Sequence, residues 1–151
     1  MQTTDRIEKT VLLRAPVARV WRALADAEEF GAWFRVKFDG PFAEGKTVRG
    51  RITYPGYEHV RMEILVERME RERLFAFRWH PYAVAPDVDY SAEPMTLVEF
   101  RLAAEGGTTR LTITESGFDR IPASRRDEAF RMNEGGWAEQ IGNIERHVAA
   151  G

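Results

Sequence analysis

GPFAEGKTVRGRITYP, residues 40–55, decides the fold, because its opening fits the phosphate-binding pattern G-x-x-x-x-G-K-[ST] through Gly40, Gly45, Lys46 and Thr47. A phosphate-binding loop works only between a buried parallel strand and a helix, whose N-terminus and backbone N–H groups hold the phosphates. The residues after Lys46 have the wrong period for that. Val48, Gly50, Ile52 and Tyr54 alternate with polar neighbours as far as the break at Pro55-Gly56, which predicts a strand. Glu44 would also set like charge against a phosphate. Residues 40–47 are therefore expected to form a hairpin turn, with Gly45 supplying a backbone conformation other residues avoid, and a nucleotide hydrolase is excluded.

Outward from that turn, the period of two continues. Val36 and Phe38 alternate before it. After it come HVRMEILVERM (59–69) with Val60, Met62, Ile64 and Val66, then RLFAFRW (73–79) with Phe75, Phe77 and Trp79. A long loop, residues 80–94, precedes a last hairpin: Val98, Phe100 and Leu102, a turn at Glu105-Gly106-Gly107, and then Leu111 and Ile113. Consecutive strands with short turns imply an antiparallel meander. Upstream, IEKTVLLR (7–14) reads as a first strand, and Pro16 opens a short helix whose apolar side is Val17, Val20, Trp21 and Leu24. Asp26 caps a second helix, DAEEFGAWF, with Glu28 and Glu29 at its positive end. From Ser124 to the end the pattern is helical, with an apolar stripe of Phe130, Trp137, Ile141, Ile144 and Val148. The fold class is α+β.

At 151 residues with 44% apolar content, residues 1–151 read as a single domain with one core. Twenty-four acidic against 22 basic residues, with no run of like charge, argue against a nucleic-acid partner. The absence of cysteine excludes disulfides, thiolate metal sites and cysteine nucleophiles. No stretch reaches signal-peptide or membrane-spanning length in apolar residues, so a soluble cytoplasmic protein is the default expectation. His59, His80 and His147 show no paired ligand spacing, so neither metal nor cofactor is expected.

Two places break the apolar pattern. Spacing along the last helix selects Asn133 and Glu134 where apolar residues belong, next to Gly135 and Gly136. A polar gap facing a sheet points to a cavity; the alternative is that both side chains reach solvent. Glu115 continues the inward alternation of Leu111 and Ile113, which puts a carboxylate in the core unless a bulge before Gly117 turns it outward. Arg78 and Arg101 are candidate partners for it, although alternation sets both on the opposite face.

IEKTVLLRAPVARVWRALADAEEFGAWF, with Pro16, Val20, Trp21, Ala23, Leu24, Asp26 and Trp33, resembles the opening of START-like (SRPBCC) proteins, specifically homologues of the activator of the 90-kDa heat-shock protein ATPase. Gly117, Phe118, Gly136 and Trp137 match the same family further on, so the resemblance covers nearly the whole chain. It implies the helix-grip fold, a curved antiparallel sheet wrapped around a long C-terminal helix with two short helices after the first strand, and a cavity between sheet and helix. Cavity candidates are then Trp33, Phe38, Tyr54, Trp79, His80, Tyr82, Tyr90, Glu115, Phe118, Asn133, Glu134 and Trp137. The expected partner is a small hydrophobic or amphipathic molecule. A cyclase- or hydrolase-like enzyme using Glu115, His80 or Glu134 as acid or base, and a cochaperone working through its surface, are the alternatives. No catalytic motif belongs to the family as a whole.

Overall fold

Six strands run up and down in chain order, and a seventh from the N-terminus closes the far edge. The computed structural model describes residues 5–85 and 88–150. Its strands are β1 (Arg6–Leu13), β2 (Val36–Phe38), β3 (Thr47–Ile52), β4 (Arg61–Glu70), β5 (Leu74–Trp79), β6 (Thr96–Glu105) and β7 (Thr108–Ser116). All neighbours are antiparallel in the order β1-β7-β6-β5-β4-β3-β2. Helices α1 (Val17–Ala25) and α2 (Ala27–Phe34) follow β1. A short 3₁₀ helix, Phe118–Arg120, leads into α3 (Ala123–Ala150), which packs on β1, α1 and α2. This is the helix-grip arrangement.

Local chemistry sets the boundaries. Pro16 takes the residue position before α1, with extended backbone, so the helix starts one residue later than its fixed φ suggests. Asp26 accepts from the N–H groups of Glu28 and Glu29, capping α2. Gly31 lets α2 lie on β2, since a Cβ there would stand 2.2 Å from the Val36 carbonyl oxygen. The core is aromatic at its centre. Phe30 of α2 reaches Phe75, Phe77 and Phe100 of the sheet with ring centroids 6.2–6.3 Å apart, all four fully buried.

The turn that raised the nucleotide question is a hairpin connection between β2 and β3. Gly45 has φ +79°, and its N–H donates to the Val66 carbonyl while Val66 donates back to Lys46. A backbone donor engaged in a ladder cannot cradle phosphate. Calorimetric titration with magnesium and ATP is therefore expected to give no heat of binding; micromolar binding lost in Lys46→Ala would overturn the assignment.

β7 carries Thr109, Leu111, Ile113 and Glu115 into the interior, without the outward bulge. The two arginines considered for Glu115 are engaged elsewhere on the outer face, Arg78 with Glu67 at 2.6 Å and Arg101 with Glu99 at 2.8 Å. Among the described residues no helix is long and apolar enough to cross a membrane.

Candidate functional site

Between the sheet and α3 lies a half-open cleft of about 790 Å³. Its deep end is built by register. Trp79 and Thr96 are opposite each other across β5 and β6, and Glu115 stands opposite Val98, two residues along β6 from Thr96. Alternation turns all three side chains to the same face. Asn133 and Trp137, one helical turn apart on α3, meet them from above.

Glu115 is fully buried, and each of its hydrogen-bond partners among the described residues is a donor. Trp137 Nε1 donates to one carboxylate oxygen at 2.8 Å. Trp79 Nε1 and Thr96 Oγ1 donate to the other at 2.7 and 2.5 Å. Asn133 Nδ2 reaches both, at 3.0 and 3.1 Å. Burial pushes the carboxyl above its ordinary range, and the bonds from Thr96, Trp79, Trp137 and Asn133 pull against that rise. Among the described residues no cation takes part. The indoles of Trp79 and Trp137 are also stacked, with centroids 5.7 Å apart.

The far wall of the cleft is the loop after β5, tied to the first turn of α3 by one arginine. Arg125 pairs with Glu93 at 2.7 Å, donates to the Pro81 and Tyr82 carbonyl oxygens, and lies 4.8 Å over the Tyr90 ring. His80, at the start of this loop, has a buried Nδ1 without a partner among the described residues. Burial lowers its pKa against the pull of Glu93 and Glu63, which favours the neutral imidazole.

Of the candidate residues, Tyr54, Trp79, His80, Tyr82, Tyr90 and Asn133 border the cleft. Glu115 and Trp137 lie just behind it, reaching it through Trp79 and Asn133. Four others are elsewhere. Trp33 is buried under α1, its Nε1 donating to the Ala23 carbonyl at 2.9 Å. Phe38 packs, half-buried, on Phe30 and Phe42 at the margin of the core, and Phe118 is fully buried against Phe130. Glu134 is exposed on α3: it follows Asn133 by one residue, about 100° around the helix, which carries it off the cleft face. It thus has no contact with Glu115 or His80.

Tyr57 and His59 border the cleft as well, and so do Gln140 and Asn143, which sequence reasoning missed. The helical ones had a signal: 133, 136, 140 and 143 follow the spacing of a single helix face beside the apolar stripe. Asn143 donates to Gln140, whose own amide donates to the Phe34 carbonyl at 3.5 Å. His59 Nε2 lies 3.2 Å from the Val84 carbonyl oxygen. Thr96 extends the inward alternation of Val98, Phe100 and Leu102, but its place beside Glu115 depends on strand pairing, and it was missed. Among the described residues no group of three or more His, Asp or Glu side chains is placed to hold a metal ion.

Several solved structures share this architecture. DynU16, a protein of the dynemicin biosynthetic locus, aligns at TM-score 0.74 and 23% identity over 96% of this chain. The chain spans about half, 47%, of that protein's length. MLL2253 from Mesorhizobium loti aligns at 0.75 and 21%, covering 96% of this chain and 97% of its own. The Aha1 dimer from Colwellia psychrerythraea aligns at 0.70 and 15%, covering 95% of each chain. At these identities the likeness establishes the fold. No curated protein sequence matches the chain. The sequence pattern of the Activator of Hsp90 ATPase homolog 1-like protein family does match, over residues 14–149, and the chain belongs to that family.

Proposed function

We propose that this protein binds a small apolar or amphipathic molecule in the cleft between its sheet and α3. The observation that carries this reading is the cleft itself. A volume of about 790 Å³ lies within the range of small-molecule sites, and its border combines aromatic rings with a few fixed polar groups. Burying roughly 300 Å² of apolar ligand surface at ~25 cal/mol per Å² contributes about 7 kcal/mol before association costs, so micromolar affinity is the upper expectation. A catalytic reading has less support, because among the described residues Glu115 meets only neutral donors and no second titratable group lies within hydrogen-bond reach of it.

Gly136 provides the test. It borders the cleft from mid-helix, and a Cβ added there meets nothing within 4 Å. Gly136→Leu should therefore raise stability by about 1 kcal/mol, since glycine is a poor helix former, while filling the cleft and abolishing binding of an apolar fluorophore. A stabilised variant that binds the fluorophore as well as the parent would show that the cleft is not the site.

A further inference from the structure

We propose that Asn133 is the specificity-determining residue of the cleft: a fixed hydrogen-bond acceptor that selects flat apolar molecules carrying a hydroxyl or N–H donor. The inference rests on the cleft being the binding site and adds the chemistry it recognises.

An asparagine amide has a donating end and an accepting end, and which faces a ligand is settled by what holds the other. Here Glu115 holds it. The Asn133 NH₂ lies 3.0 and 3.1 Å from the two carboxylate oxygens, an arrangement only a donor can make with a carboxylate. Reversing the amide would set its oxygen against them. The Asn133 Oδ1 is thereby turned away from Glu115, toward the cleft that Asn133 borders, and no group among the described residues donates to it. Glu115 is the positioning residue behind it, itself locked by the two indoles and Thr96.

The surroundings define the rest of the molecule. Trp79 presents an aromatic side to the cleft next to Asn133, and Gly136, nearly one turn along α3, leaves the helix surface bare. A flat body lies against that surface with its donor at Asn133. The other amides of the strip offer less to a ligand. Gln140 Oε1 already accepts from Asn143, and Asn143 Oδ1 accepts from Arg146, so both acceptors are occupied within the helix. An acceptor left in a partly dry site rejects a matched molecule that cannot donate to it.

The experiment is a fluorescence titration of the full chain with 2-naphthol and with 2-methoxynaphthalene, which differ by the loss of the donor. The naphthol should bind about tenfold more tightly, the value of about one hydrogen bond in such a site. Asn133→Leu should bring the two affinities within about twofold of each other by weakening the naphthol alone. Glu115→Gln should also narrow the preference by releasing the amide's orientation, while a role in stability alone would leave the ratio unchanged. Equal binding of both probes by the parent, competed away in Gly136→Leu, would overturn the Asn133 assignment and leave the cleft as the site. Binding of neither probe would overturn both. The parent comparison decides the matter even where a substitution impairs folding.

Discussion

Trp137→Ala is expected to destabilise the protein by about 3–5 kcal/mol, the range for emptying a large aromatic site in a packed core. The residue is 2% exposed, stacked on Trp79 and set edge-on to Phe100, so little can collapse into the space it leaves. The substitution also strips a donor from a buried carboxylate. Trp137→Phe separates the two effects, since it keeps most of the ring and loses only the N–H to Glu115 at 2.8 Å. It should cost about 1–3 kcal/mol. Chemical denaturation of both variants measures this, and a loss below about 1 kcal/mol for the alanine would mean that the site repacks.

Removing Glu115 should have an effect of similar size with a distinctive pH dependence. Glu115→Ala leaves Trp79, Trp137, Thr96 and Asn133 without their shared acceptor, and several stranded buried donors cost about 3–5 kcal/mol together. Burial raises the carboxyl above its ordinary value of 4.5, so the native state binds the proton more tightly than the unfolded chain. The stabilisation from that proton is complete below the unfolded value and is lost as pH rises through the folded one. Parent and Glu115→Gln, unfolded in denaturant at a series of pH values, should then differ most in acid. The gap should narrow upward from about pH 4.5, by at most about 1.4 kcal/mol per pH unit. A gap that widens as pH rises would show the four donors outweighing the cost of burial.

Much of the fold was legible because the meander has strong period-two patterning and its turns carry their own chemistry, as at Gly45 and at Gly106-Gly107. The inward direction of Glu115 followed from counting back to Leu111 and Ile113. Its partners did not, because Thr96 and Trp79 approach through strand register and Asn133 and Trp137 through the seating of a helix, and neither is written in local spacing. Trp33, Phe38 and Phe118 show the converse limit. An aromatic at a strand or helix end has the same appearance in sequence whether it edges a cleft or seals a core, and only packing separates the two. Asn133 and Glu134 stood together as one polar gap, yet one helical step sends the first to Glu115 and the second to solvent.

The all-donor shell around Glu115 also bears on how α3 finds its place. A helix held by an apolar stripe alone can shift along a sheet by one turn and still bury comparable hydrocarbon, so greasy contact distinguishes poorly among such neighbouring seatings. A buried carboxylate distinguishes sharply. A shift of four residues toward either end would set Ala129 or Ile141 at one of the two helix positions that now donate to the acid, so the buried carboxyl would lose one of its donors. The nearest misregistered states are thereby raised in energy relative to the native one, and the competing minima beside it are removed. One acidic residue among the inward-facing side chains of β7 thus serves as an error check on the seating of α3, the longest of the described elements.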